Sequence, residues 1–140
     1  MSLQLFCRLT LLILLLPLCS AASQLDDVQQ LQWQSRLILI HSSSPETSPS
    51  QDLHAATAEI DERHIHWFVL YDGQLQTNYP GPIHPDFVTH TSNRYFSEKQ
   101  KSVLLIGKDG SIKLRSEHLD LQYIFQLIDQ MPMRQSEMNQ

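Results

Sequence analysis

The stretch VLLIGKDGSIKLRS, Val103 to Ser116, followed by Leu119 to Met138, constrains the fold most. Val103–Ile106 is an apolar run of the length of a buried strand. Lys108-Asp109-Gly110 predicts a tight hairpin turn, because glycine enters positive φ without steric cost. Ile112–Arg115 returns as an edge strand, with Ile112 and Leu114 inward and Lys113 and Arg115 sharing the outer face. Leu121, Ile124, Phe125 and Ile128 fall at i, i+3, i+4 and i+7, the stripe of a helix packed on a sheet. Pro132 has no N–H to continue that helix and is predicted to stop it. The Met-Pro-Met-Arg exit places Met131 in the core and Met133 over the sheet edge, with Arg134 in reach of Asp129 or of the helix's last carbonyls.

Two further apolar runs supply parallel neighbours. RLILIH, Arg36–His41, and WFVLY, Trp67–Tyr71, have the continuous hydrophobicity of strands buried on both faces. Ser42–Pro49 is a loop by composition. A helix is expected after it: Ser48 as N-cap, Pro49 at the first helical position, Gln51 completing a capping box, and Leu53, Ala56 and Ile60 on one face. Residues 24–35 suit a short amphipathic helix leading into a linker. Residues 72–101 read as an irregular connector or insertion, since Pro80, Gly81, Pro82 and Pro85 oppose regular structure. Phe87, Tyr95 and Phe96 are expected to anchor it. The order β-α-β, connector, β-β-α is the thioredoxin arrangement, an α/β fold with a central mixed sheet of about four strands flanked by helices.

The N-terminus has the form of a cleavable secretory signal. Arg8 precedes the apolar run Leu11–Leu18, and Ser20-Ala21-Ala22 offers small residues for cleavage after Ala22. A lipoprotein anchor at Cys19 would require a small residue before it, and Leu18 is not small. Residues 23–140 then form a single domain, and both cysteines, Cys7 and Cys19, leave with the signal. Of ten Lys and Arg side chains, nine remain against fifteen Asp and Glu, a net charge of −6. That balance argues against nucleic acid or an anionic membrane as a partner. No second apolar run is long enough to insert in a membrane after cleavage.

Trp33-x-x-Arg36-Leu37, the VLLIGKDG turn, KLRS and IDQMPMRQSEM resemble a secreted domain of unknown function, the P-DUDES group. This thioredoxin-like, distantly peroxiredoxin-like domain occurs alone in bacteria and inside vertebrate extracellular proteins such as equarin and the sushi-repeat proteins. The resemblance is close at the C-terminus and loose through residues 41–66, while residues 72–100 look particular to this branch. It implies a thioredoxin-like fold and an extracellular setting, and it brings no enzymatic role.

Thioredoxin chemistry needs a thiolate at the N-terminus of the first crossover helix, where the helix dipole lowers a cysteine pKa. Here that place holds Ser42, Ser43, Ser44, Thr47 and Ser48. The proline that precedes the third strand in active folds is also missing, since Gln100-Lys101-Ser102 stand there. Cysteine-dependent redox activity is therefore excluded for residues 23–140. His41, Asp52 and His54 lie near the serines, but no G-x-S-x-G elbow accompanies them, and a polar loop with a helix cap accounts for these residues. No catalytic residue is assigned. The chain has seven histidines. His64-x-His66 places two imidazoles on one face of an extended segment, with His84 and His90 in the connector. Without a third clustered ligand they are weak metal candidates, and no cofactor is expected. The basic groups of the hairpin make the best binding patch: Lys108, Lys113, Arg115 and Arg134, with Asp109 and Asp129 as counter-charges. Lysine on an edge strand also serves simply to block strand pairing. The expected role is a secreted or periplasmic module that binds a protein or extracellular polymer. The alternative is a divergent oxidoreductase-like enzyme with metal- or cofactor-assisted chemistry.

Overall fold

A computed structural model describes residues 23–43, 49–97 and 102–140. Five strands form one open mixed sheet: β1 Arg36–His41, β2 Ile65–Tyr71, β3 Gln74–Thr77, β4 Val103–Ile106 and β5 Ile112–Ser116, in the order β3-β2-β1-β4-β5. β1 and β2 are parallel, with Arg36 opposite Ile65 and His41 opposite Leu70. The other three pairings are antiparallel. This is a thioredoxin-like α/β fold with one strand more than expected. The extra strand, β3, follows from Asp72-Gly73, both at positive φ, which turn the chain back along β2.

The alternation of side chains along a strand divides the apolar residues between two layers. On one face Ile38, Ile40, Trp67, Val69 and Leu105 pack with Leu53 and Ile60 of helices α1 (Ser50–Ala55) and α2 (Thr57–Glu62), and with Ile124 and Ile128 of α4 (Leu121–Asp129). On the other, Leu37, Leu39, Phe68, Leu70 and Leu104 meet Leu25, Val28, Leu31 and Phe87. Both faces are covered, which is why the central strands read as unbroken apolar runs.

The details depart from expectation in five places. The single helix after β1 is two short ones. The Thr57 hydroxyl donates to the His54 carbonyl at the break, while Leu53 and Ile60 remain buried on one face. Ser48, the expected cap, lies outside the described residues; α1 starts after Pro49 without a side-chain cap. The connector is not irregular throughout, since it carries β3 and helix α3, Phe87–Tyr95, whose Phe87 is buried and whose Tyr95 packs on the same layer as Phe96. The Pro-rich stretch before α3 is held by a parallel bridge from Leu25 to Ile83. The segment at 24–35 forms a 3₁₀ turn, Val28–Leu31, capped by Asp27. In β5 a bulge makes Lys113 the extra residue, so Ile112 pairs with Ile106 and Leu114 with Leu105, and the two face opposite layers. Arg115 sits opposite Leu104 and so lies on the α3 side.

Pro132 does stop α4, but the chain beyond it is not extended. Pro132 stands at the first position of another helix, α5, Pro132–Met138. Among the described residues no helix is long and apolar enough to cross a membrane.

Candidate functional site

Helix α5 returns the chain to the end of the sheet where β1 begins. It carries Arg134 and Glu137 one turn apart, and both point into charged side chains from four other segments. Arg36, the first residue of β1, is 1 % exposed. Its guanidinium donates to the Glu137 carboxylate, Nη1 at 3.1 Å and Nη2 at 3.4 Å, and Nη1 also reaches the Arg63 carbonyl at 2.8 Å. Lys108, from the β4–β5 turn, is 9 % exposed and donates to the same carboxylate at 2.6 Å. Its Nζ also lies 2.9 Å from His64 Nδ1, and with the ammonium as donor that nitrogen is an acceptor. Burial pushes the Glu137 pKa up, but the bonds from Lys108 and Arg36 outweigh it and hold the carboxyl below the usual range.

A second knot lies beside the first. Asp129, at the end of α4, accepts from Arg63 Nε at 3.0 Å and Nη2 at 2.7 Å, a forked pair. Arg134, 4 % exposed, donates to the same carboxylate at 3.2 Å and to the Glu62 carbonyl and carboxylate. Burial opposes the charge on Asp129, yet Arg63 and Arg134 together keep its pKa low. The Arg63 guanidinium also lies over the Phe125 ring, 4.8 Å from its centre. Arg134 is thus a structural cation inside the fold and not an exposed charge, while Met131 is only half-buried and Met133 is exposed.

Alongside the Arg36–Lys108–Glu137 knot runs an open groove of about 540 Å³. Gly107–Asp109 and Lys113 line it from the β4–β5 hairpin, Leu127, Gln130 and Met131–Met133 from α4 and the start of α5, and Arg36 from β1. The lining is mostly apolar. Lys113 donates to Asp109 at 2.8 Å, and Ser111 closes the turn onto the same carboxylate. These bonds, that of Lys113 above all, offset the effect of burial and hold the Asp109 pKa down.

The binding patch read from the sequence therefore divides. Lys108, Asp109 and Lys113 meet on the groove. Asp129 and Arg134 belong to the internal ion pairs. Arg115 is exposed on the opposite side of the sheet, so it does not share a face with Lys113. Arg36, Glu62, Arg63 and Glu137 were not singled out as a set. Their pairings to Asp129, Arg134 and one another span 66, 72 and 101 residues, and no local pattern announces such a partner. Only Arg36 left a trace, as a full charge opening an otherwise apolar strand.

The histidines behave differently from an extended chelating pair. His64 has a left-handed backbone, φ 51°, which breaks the extended geometry, and its Nδ1 is turned to Lys108. His66 packs edge-on to Tyr79 at 5.3 Å, and burial lowers its pKa against the opposing effect of Asn78. His84 and His90 lie beside Asp26, at 3.8 Å and 3.4 Å. Among the described residues no three His, Cys, Asp or Glu side chains are grouped to hold a metal ion.

No curated protein and no solved structure matches this chain. Residues 27–137 match the family described as Domain of unknown function (DUF4174), a span that starts at the cap of the 3₁₀ turn and ends on Glu137, the carboxylate at the centre of the ion pairs. The chain belongs to that family.

Proposed function

We propose that this protein is an exported, secreted or periplasmic, thioredoxin-like module that binds a protein partner through the groove beside α5, and that it has no cysteine redox activity. The groove carries this reading. It has the size of a binding site, a mostly apolar wall and a few polar groups at fixed positions. Met131 and Met133 give that wall an adaptable surface. The second part rests on the sequence, which has no cysteine after Cys19. Export rests on the N-terminal pattern alone.

The test compares native protein with Met133→Asp as bait in the envelope fraction. Met133 is 40 % exposed, so the variant should fold with an unchanged melting temperature. A partner retained by the native protein and lost by the variant is the expected result. Equal retention by both would rule out the groove as the partner site. A metal ion recovered at one equivalent per chain would instead favour the enzymatic alternative.

A further inference from the structure

The groove is charged as well as apolar. Three cations, Arg36, Lys108 and Lys113, line it; Arg36 and Lys108 share the Glu137 carboxylate and Lys113 pairs with Asp109, which leaves one positive charge in excess in a chain whose net charge is −5. Lys108 is the most telling of them. Its side chain is nine-tenths buried and its ammonium bears three N–H groups. Two are directed at Glu137 and His64, and the third meets no acceptor among the described residues. A buried cationic donor with an unused N–H favours an acceptor wherever the fold leaves room for one. Lys113 stands on the same bank, and its partner Asp109 is a partly exposed neighbour in the turn. Such pairs exchange readily, because water competes well with them. The opposite bank sets the apolar side chains of Leu127, Met131 and Met133 beside the amide of Gln130.

Building on the groove as the partner site, we propose that its occupant is the carboxyl terminus of a polypeptide whose last residue is apolar. The terminal carboxylate accepts from Lys113 and from the third N–H of Lys108. The last side chain rests against Met131 and Met133. Charge complementarity favours an anion, and the apolar bank favours one with a hydrophobic side chain next to it. The groove is open to solvent and not an enclosed cavity, which leaves a path for the chain that precedes the terminal residue.

Fluorescence anisotropy with labelled hexapeptides ending in leucine tests this, each made as free acid and as C-terminal amide. The acid is expected to bind saturably and the amide about tenfold more weakly, the loss of one charge-assisted contact. Lys113→Gln should bring the acid to the level of the amide without changing the melting temperature, and Met133→Asp should weaken both. Equal affinities for acid and amide overturn the proposal. Saturable binding of octanoate with none for any peptide also overturns it and assigns the groove to a free fatty acid. If Met133→Asp loses its envelope partner but no peptide acid competes with that partner, the carboxyl-terminus assignment fails while the groove stands as the partner site.

Discussion

At the end of the sheet where β1 runs out, the described side chains make ordinary contacts. His41 lies against Phe96, His54 meets Trp67 edge-on, and the Ser102 hydroxyl donates to the Glu117 carbonyl. At the end where β1 begins, four cations, Arg36, Arg63, Lys108 and Arg134, interlock with three carboxylates, Glu62, Asp129 and Glu137. A thioredoxin-like enzyme places its thiolate at the first of these ends, by the loop after β1. In this chain the dense set of ion pairs among the described residues lies at the second. The fold supplies a rigid sheet in both cases, and the site depends on which strand ends receive the polar groups. Here the added helix α5 is what brings them together, because it carries Arg134 and Glu137 back across the ends of β1 and α2.

The sharpest way to break this contrast is to remove Arg36. Losing one partner of a buried pair leaves the other charge uncompensated and typically costs about 3–5 kcal/mol. Arg36→Ala should therefore unfold the protein at much lower denaturant and release α5. Urea titration followed by circular dichroism measures it. A loss below about 1 kcal/mol would mean that the knot is ornamental. Arg36→Met, which keeps much of the volume, separates lost packing from lost charge.

A smaller effect orders the two residues at the start of α5. Read from the sequence alone, Met131 is the core plug and Arg134 an exposed charge, so alanine at 131 should do more damage. The observed burial reverses the order. Arg134→Ala removes three hydrogen bonds to Glu62 and Asp129, though Glu62 is exposed and Asp129 keeps Arg63. We expect a loss of about 2–3 kcal/mol, at the low end for a buried pair. Met131→Ala should cost about 1–2 kcal/mol, roughly half the value for a fully buried methionine. Paired urea melts decide the order, and a larger loss at Met131 would restore the simpler reading.

That reversal shows what a sequence of this kind encodes locally and what it does not. The strands RLILIH, WFVLY and VLLI, the Gly110 turn and the α4 stripe follow from periods of two and 3.6, which any short window contains. Strand β3 leaves no mark in the sequence because QLQT is too short and polar to stand out. The bulge at Lys113 was missed because one added residue leaves composition unchanged while it reverses the face of every residue on one side. The ion pairs were missed for a different reason. Charge complementarity between residues 72 and 101 apart depends on the assembled fold and leaves no periodic mark.

The contrast between the two ends should also have a pH signature. Glu137 and Asp129 have folded-state pKa values below their unfolded ones. Such groups stabilise the fold fully above the unfolded carboxylate pKa, near 4, and the contribution is lost as pH falls through the depressed folded values. These two carboxylates should therefore leave the urea midpoint unaffected above about pH 4.5 and lower it steadily below, a loss separate from the one that His66, with its lowered folded pKa, begins below about pH 6.5. In Glu137→Gln the starting stability should be lower and the acid slope shallower, since one of the linked protons is gone. An unchanged slope would move the acid sensitivity away from this end of the sheet.

The smallest effect belongs to the other end, and it is the control on which the comparison turns. Ser43 is exposed and stands where a redox-active relative of the fold would begin its reactive loop. If no chemistry resides there, Ser43→Ala should change stability by no more than about 0.5 kcal/mol, the usual range for a surface position. It should leave partner capture intact, and neither form should reduce insulin disulfides. Excess EDTA should not shift the melting temperature of either, since a structural metal would make a large part of the folding free energy depend on its presence. Insulin reduction by protein free of Cys7 and Cys19, or loss of capture in Ser43→Ala with stability unchanged, would return the functional site to the end of β1. The ionic end would then be left with a purely structural role: securing α5 so that the sheet is closed at its base.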